Sequence, residues 1–283
     1  MIVQHNLSAM NASRQLNITT TAQSKVTEQL SSGYKINRAA DDAAGLTISE
    51  KMRSQIKGLT QASTNAQDGV SAVQTAEGAL SEVHDMLQRM NELAVKAANG
   101  TNTTADRGAI QKEVSALVCE IDRVKQSTAF NTLKLLDGTF ATSKKMTIQV
   151  GAANSSYQRI QIKIESISTS KLGAKGATGL KLNKIDMKTL SGARKAIAAI
   201  TGAIAKISDI RSALGAVQNR LEHTINNLDN VVENTTAAES SIRDTDMASA
   251  MVEYSKNNIL SQAGQSMLAQ ANKSTQGVLS LLG

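Results

Sequence analysis

The longest regular pattern in the chain is a spacing of apolar residues between Ile197 and Val232. Successive apolar positions are three or four residues apart: Ile197, Ile200, Ile204, Ile207, Ile210, Leu214, Val217, Leu221, Ile225, Leu228 and Val232. This spacing predicts one unbroken α-helix with a narrow apolar stripe, roughly 55 Å long at the usual helical rise. Such a stripe needs a partner helix of the same period, either in a coiled coil or in an ordinary helical bundle.

A second stripe predicts another long helix between residues 46 and 99. Its clearest apolar positions are Val70, Val73, Ala76, Leu80, Val83, Leu87, Met90, Ala94 and Ala97. Asn99 and Gly100 follow the last of them and form a typical helix stop. The two longest helices therefore carry similar stripes and are suited to pack against each other.

Other helix ends are marked by residues that usually terminate or cap helices. Gly33 predicts the end of a first helix, and Asp41 and Asp42 lie where the positive end of the next helix favours acidic side chains. Thr103 and Asp106 have the spacing of a capping box, which predicts a third helix with a stripe over residues 110–124.

The periodicity changes from helical to alternating near residue 146. Apolar residues occupy alternate positions in residues 146–150 and again in residues 160–164, with a small, polar segment between the two runs. This pattern predicts a β-hairpin with one apolar face lying on the helices. Residues 166–192 are rich in Ser, Gly and Lys, so we expect an irregular, exposed connection with at most one short helix.

The two ends of the chain resemble each other in composition. Residues 1–33 and 247–283 each contain only three charged side chains, and their apolar stripes are sparse. The C-terminal stripe includes Leu260, Met267 and Val278. Helices of this kind bury too little apolar area to be stable alone, so we expect both ends to become ordered on a partner.

Composition supports long helices and restricts the possible partners. The 283 residues include no Pro, no Trp, two Phe and three Tyr, which predicts a thin, aliphatic core. No apolar run is long enough to span a membrane, and the N-terminus lacks the pattern of a cleaved secretory signal. The net charge of +7 is local, because residues 144–195 alone carry +9. Their lysines are dispersed and accompanied by a single Tyr, which favours a solvated surface over a nucleic-acid site.

Candidate catalytic groups are few and isolated. Cys119 has no evident base, and as the only Cys it excludes an intramolecular disulfide. The pair Asp41–Asp42 has no nearby His or third carboxylate, and His84 has no second ligand at metal spacing. We therefore expect no enzyme activity, cofactor or metal. A secreted enzyme on a coiled-coil scaffold is the alternative from a different class.

Several motifs, in the same order, resemble those of bacterial flagellins. Residues 30–45 resemble the signature L-S-S-G-x-x-I-N-x-A-x-D-D-A-A-G, residues 87–95 resemble L-Q-R-x-x-E-L-A-V, and residues 120–124 resemble E-I-D-R-I. At the other end, residues 243–248 (R-D-T-D-M-A), 258–264 (N-I-L-S-Q-A-G), 267–272 (M-L-A-Q-A-N) and 278–282 (V-L-S-L-L) resemble the C-terminal flagellin motifs. The resemblance covers roughly residues 1–165 and 190–283.

This resemblance implies a mainly α fold: a long antiparallel helical coiled-coil bundle with a small β-hairpin region and terminal helices paired in an inner coiled-coil domain. It implies three parts: an inner domain of residues 1–45 and 236–283, a helical core domain of residues 46–143 and 189–235, and the hairpin and variable connection of residues 144–188. The middle segment is too short for large outer domains, so the chain resembles a core-only flagellin.

The implied function is that of a structural subunit, exported unfolded by the flagellar type III apparatus and polymerised into the extracellular filament. Implied partners are further copies of the chain, an export chaperone, the filament cap and hook–filament junction proteins. A junction protein is the alternative within the same system. The expected assembly seam comprises Ile197, Ile200, Ile204, Ile207, Leu214, Leu221, Leu228, Leu260, Met267 and Val278.

The resemblance also implies recognition by host receptors. The positions that match the flagellin surface read by Toll-like receptor 5 are Arg89, Leu93 and Glu113. Arg89 and Leu93 are four residues apart and are expected on one helix face. The terminal leucines read by cytosolic inflammasome receptors match Leu279, Leu281 and Leu282.

Overall fold

The computed structural model describes residues 6–141, 145–172 and 181–279, without the side chains of residues 274–279. The described residues form the α-helices α1 (Leu7–Ser32), α2 (Ala43–Ala97), α3 (Thr104–Ser127), α4 (Leu190–Arg243) and α5 (Met247–Leu279). Two antiparallel sheets pair β1 (Ala129–Phe130) with β2 (Leu133–Lys134) and β3 (Met146–Gln149) with β4 (Arg159–Ile162). Short 3-10 helices occupy Ser156–Gln158 and Leu182–Lys184. The predicted mainly α fold is confirmed.

The chain divides into two compact units. The terminal unit comprises residues 1–56 and 233–283, and the central unit comprises residues 57–232. Both α2 and α4 contribute residues to both units. The two boundaries therefore lie inside continuous helices and not in linker segments. The domain limits expected after residues 45 and 235 also fall inside these helices, and they remain predictions.

In the central unit, α2 and α4 run antiparallel and bury the two predicted stripes. Arg211 of α4 forms an ion pair of 2.7 Å with Glu77 of α2. Further along, the Ser63 hydroxyl donates to Asp229 Oδ1 at 3.0 Å. The largest buried side chains of these two helices include Leu80, Leu87, Ile207, Leu214 and Leu221. The two long helices expected from the sequence are therefore each other's packing partners.

The turn from α2 to α3 is fixed by the predicted capping box. The Thr103 hydroxyl accepts the Asp106 N–H at 3.2 Å, and the Asp106 carboxylate accepts the Thr103 N–H at 2.9 Å. Arg107 donates from Nε to the carbonyl of Ala97 at 2.9 Å and from a terminal nitrogen to the carbonyl of Asn99 at 3.1 Å. These bonds satisfy polar groups at both helix ends and position α3 antiparallel to α2.

The hairpin of β3 and β4 lies on α2 as predicted. Its register pairs Met146 with Ile162, and its apolar face is buried in the central core. Asn65 of α2 donates to the carbonyl of Gln149 at 3.2 Å. At Gly58, an added Cβ would lie 2.7 Å from the Cβ of Ala152, so the close approach of the hairpin requires glycine there.

The connection after the hairpin is irregular as expected, but the prediction that it is exposed is wrong for five of its described apolar residues. In residues 166–172 and 181–192, buried apolar residues are Ile167, Leu172, Leu182, Ile185 and Met187. The Gln111 amide of α3 accepts the N–H of Met187 at 2.8 Å and donates to the carbonyl of Ile185 at 3.1 Å. Each end of this amide pairs with the backbone of the connection and holds it against α3.

In the terminal unit, α1 and α5 form an antiparallel pair. Asn6 donates to the carbonyl of Ala271 at 2.9 Å, Leu16 lies beside Gly264, and Tyr34 forms an isolated β-bridge with Asp244. The residue numbers of each facing pair sum to between 277 and 280, so one register extends along the whole pair. The pairing of the terminal helices is confirmed.

Sharp turns end α1 and start α2 where the sequence predicts them. Gly33 adopts the left-handed conformation with φ of 77° and donates to the carbonyl of Gln29 at 2.8 Å. The Asp42 carboxylate accepts the N–H groups of Ala44 at 3.0 Å and Gly45 at 2.9 Å, which caps α2. Next to these turns, the Arg243 guanidinium lies 4.3 Å from the centre of the Tyr34 ring.

Candidate interaction surfaces

An exposed ionic network joins α2 to α3. Arg89 donates from two nitrogens to Glu113 Oε1, at 3.1 and 3.0 Å, and from a third to Glu92 Oε2 at 3.1 Å. The hydrogen bond that Arg89 donates to Glu92, followed by those it donates to Glu113, raises the pKa of Arg89. The ionic network therefore includes two of the three residues matched to the receptor surface, Arg89 and Glu113. It also includes Glu92, which belongs to the same motif but was not expected as a contact.

Leu93 differs from the expectation of an accessible apolar contact. Its side chain is only 3% exposed and belongs to the central core. It lines the groove between α2 and α3, beside Arg89 and Glu113. At this point α2 packs against α3 as well as against the central core, so the Leu93 side chain is buried below the exposed Arg89 and Glu113.

The expected seam residues of α4 are covered within the chain. Ile200, Ile207, Leu214, Leu221 and Leu228 are buried, and Ile197 and Ile204 are half-buried against the same core. Their contacts with the described chain explain why the stripe is so regular. A direct role of these residues in contacts between subunits stays a prediction.

The terminal unit has the opposite distribution of apolar side chains. Among the described residues, sixteen large apolar side chains are exposed, and eleven of these lie in the terminal unit. By contrast, only three of the forty buried hydrophobic residues lie there. On α5 the exposed ones are Met247, Met251, Val252, Ile259, Leu260 and Met267. A concentration of exposed apolar side chains is typical of a surface that contacts another molecule.

The remaining expected contact residues lie at the end of the chain. Leu279 is the last residue of α5, but its side chain and that of Val278 are outside the described part of the structure. Leu281 and Leu282 also lie outside the described residues. Their proposed contacts rest on the sequence resemblance.

Sites for metal chemistry or membrane insertion are absent from the described residues. Within residues 6–141, 145–172 and 181–279, no group of three His, Cys, Asp or Glu side chains could hold a metal ion. The helices described there lack a segment of sufficient length and hydropathy to cross a bilayer. Cys119 is exposed on α3, and His84 shares a hydrogen bond of 2.9 Å with Gln88.

These features define a class of protein: a long helical subunit with a self-contained core and paired terminal helices that present apolar side chains. Two models of one protein family match the chain. The model of the bacterial flagellin N-terminal helical region matches residues 3–141, and that of the C-terminal helical region matches residues 197–282. The chain belongs to the bacterial flagellin family.

Similar proteins of comparable length support this assignment. The chain is 53% identical to a flagellin of Halalkalibacterium halodurans over 282 residues and 49% identical to a flagellin of Bacillus subtilis over 305 residues, covering 100% of each chain. The protein is therefore a structural subunit that polymerises into the extracellular flagellar filament used for motility, and it is not an enzyme. Its short length is that of a core-only flagellin.

A solved structure shares the fold at low sequence identity. A flagellar hook-associated protein from Vibrio parahaemolyticus matches 72% of this chain and 100% of its own length, with a TM-score of 0.61 and 15% identity. This likeness concerns the fold alone. The family models and the full-length flagellin relatives distinguish the chain from the junction-protein alternative.

Proposed function

We propose that the terminal unit of this flagellin folds fully only as the subunit joins the filament, after export in an unfolded state through the flagellar type III apparatus. The observation that carries the proposal is the concentration of exposed apolar side chains on the terminal unit. Filament neighbours that cover this surface would supply the burial that the unit lacks by itself.

The coupling has a direct energetic basis. Ordering a residue costs roughly 1–2 kcal/mol of backbone conformational entropy, which buried apolar area must offset. The terminal unit buries only Val26, Ile36 and Ala250 among its described apolar residues. Head-to-tail contacts whose rotation does not close into a ring generate an open helical filament, so covering this surface by further copies in that way leads to a filament.

The same apolar surface suits transient partners before assembly. We propose that an export chaperone covers the exposed face of α5 before secretion, and that the filament cap and the hook–filament junction proteins contact the terminal unit during polymerisation. The exposed side chains at Val252, Ile259 and Met267 provide the apolar contacts. These assignments follow from the family resemblance together with this exposure.

A charge on the exposed face of α5 tests the assembly mechanism. In seeded polymerisation of purified monomer, Ile259→Asp is expected to reduce filament yield at least tenfold, because the exposed Ile259 would be covered by a neighbour. Gln265→Asp, which introduces the same charge at an exposed position roughly 120° round α5 from Ile259, is the control. Circular dichroism must show equal helix content in the two monomers. Equal filament yields would refute the proposed role of this face.

We further propose that Arg89 and Glu113 form part of a Toll-like receptor 5 contact on the monomer. Both side chains are about half exposed and already held in position, which reduces the entropy lost on binding. Arg89→Ala is expected to weaken monomer binding to the receptor ectodomain about tenfold, or about 1.4 kcal/mol. Arg123→Ala removes a comparable exposed Arg–Glu pair elsewhere on α3 and is the control. Equal affinities of the two variants would contradict the site.

The inflammasome assignment is a separate proposal. It rests on the match of Leu279, Leu281 and Leu282 to the family's terminal leucines. Replacing all three with Ala is expected to abolish the cytosolic response while leaving binding to the Toll-like receptor 5 ectodomain unchanged. A retained cytosolic response would exclude these leucines as the recognised element.

A further inference from the structure

The face of α5 that packs in the terminal unit is unusually polar. Its buried residues, among those described, are Ala250, Asn257 and Ser261, at spacings of seven and four residues. Gly264 continues the same face three residues later, where an added Cβ would lie 3.3 Å from Leu16 Cδ1 of α1. This is the heptad spacing of a coiled-coil seam, but its buried positions hold small or polar side chains instead of large apolar ones.

Asn257 is the most unfavourable of these residues for pairing. The residue is 7% exposed, and its Nδ2 has no hydrogen-bond partner among the described residues. The register of the pair places it opposite the part of α1 near residue 21. Nearby, the Thr20 hydroxyl is engaged within α1, where it donates to the carbonyls of Leu16 and Asn17 at 3.0 Å. Burial of the Asn257 amide nitrogen is therefore not compensated when α1 and α5 pair.

Most of the large apolar side chains of α5 lie on other faces of the helix, although the half-buried Leu268 continues the packing face four residues after Gly264. Val252 and Ile259 are exposed at a spacing of seven residues, as are Leu260 and Met267. A helix that only had to pair with α1 would carry large apolar residues toward α1 and polar residues toward solvent. In α5 most of the large apolar residues instead lie away from the buried positions, which leaves less apolar area for pairing with α1 and more for neighbours.

We propose that Asn257 is a specificity-determining residue of the terminal unit. Its buried amide weakens the pairing of α1 and α5 within a single subunit, so the pair becomes stable only when neighbouring copies cover the apolar faces. This role of Asn257 rests on the proposed coupling of folding to assembly. Asn257 would prevent α1 and α5 of the monomer from pairing stably before assembly. A polar residue at a buried coiled-coil position is known to reduce stability while fixing register.

The test compares Asn257→Leu with the wild type as full-length monomers. Leu replaces the unpaired amide with apolar area of similar volume, so the terminal pair should open less often. Limited proteolysis monitors this opening, because cleavage of a rapidly opening segment follows its open population. We expect the terminal segments to be trimmed at least tenfold more slowly, which corresponds to about 1.4 kcal/mol. Unseeded polymerisation should also begin sooner, because less ordering remains to be done at assembly.

Two further variants keep the outcome clear. Asn258→Leu makes the same substitution one position away, on a half-buried site, and should leave trimming within twofold of the wild type. Asn257→Ala removes the buried amide without adding bulk and should also slow trimming. It provides the measurement if Asn257→Leu aggregates. If the wild-type ends already resist the protease, the proposed coupling fails. If the wild type is trimmed and both Asn257 variants are trimmed equally fast, only the role of Asn257 is refuted.

Discussion

The burial of Leu93 changes how substitutions at this position should be interpreted. Leu93 belongs to the core of the central unit with 3% of its surface exposed. Truncation to Ala removes three buried carbon atoms and leaves a cavity, which in well-packed cores costs about 2–5 kcal/mol. We therefore expect Leu93→Ala to destabilise the central unit by roughly this amount and to act on the receptor surface only through the fold.

Leu133→Ala is the matched control, because the same side chain is removed from a site in the same unit that is 50% exposed. Its cost should stay below about 1 kcal/mol, as for most surface substitutions. Urea unfolding of the full-length monomers, followed by circular dichroism, measures both free energies of unfolding. Receptor binding by Leu93→Ala should then weaken in proportion to the unfolded fraction. If Leu93→Ala unfolds at the same urea concentration as Leu133→Ala yet binds the receptor weakly, Leu93 is a direct contact and this reasoning is wrong.

Three other predictions concern stability. Gly58→Ala should destabilise the central unit and displace the hairpin in a crystal structure, whereas Gly78→Ala, where nothing lies within 4 Å of an added Cβ, should stabilise α2 by about 0.5–1 kcal/mol in urea unfolding. Gly33→Ala should lower terminal-unit stability by about 1–2 kcal/mol in hydrogen exchange, because φ is 77° there. Hydrogen bonds from the Thr103 hydroxyl and N–H lower the pKa of Asp106, so the capping contribution to stability is present at neutral pH and should be lost as the pH falls through that lowered pKa. Asp106→Asn should abolish this part of the pH dependence of stability, measured by urea unfolding.

The sequence was most informative where structure depends on local spacing. Thr103 and Asp106 are three residues apart, and a capping box involves only such neighbours, so the start of α3 could be predicted. The same holds for Gly33, since the left-handed conformation that ends α1 favours glycine. The stripe of α4 predicted a helix because its period is a property of the helix itself, whatever its packing partner.

Leu93 shows where periodicity is insufficient. The stripe of α2 passes through Met90, Ala94 and Ala97, and a single partner would leave Leu93 at the margin. In the structure all four residues are buried, because α3 also covers this helix near Leu93. The fraction of a helix surface that is buried depends on how many other elements pack against it. That number is set by the tertiary structure and cannot be read from the periodicity of one helix.

The connection after the hairpin shows a related limit of composition. Its Ser, Gly and Lys content predicts exposure, but Ile185 and Met187 are buried in the central core, and the Gln111 amide binds the backbone at both residues. The two partners are separated by more than seventy residues in the chain. A polar pairing at this distance has no local signal, so a few apolar residues can anchor a segment that is mostly polar.

The central unit buries most of its large apolar side chains, whereas the terminal unit exposes most of its own. On the proposed mechanism, this difference separates a stable core from a surface that binds other subunits. The central unit buries its stripes within one chain, through Leu80, Leu214 and their neighbours, so its stability does not require a second copy. The terminal unit places Val252 and Ile259 outward and Asn257 inward, and we propose that its stability increases when other copies bind. A subunit built in this way can hold a defined core before assembly and still obtain most of the stabilisation of its ends from the filament. The free energy that drives polymerisation is then also the free energy that completes folding.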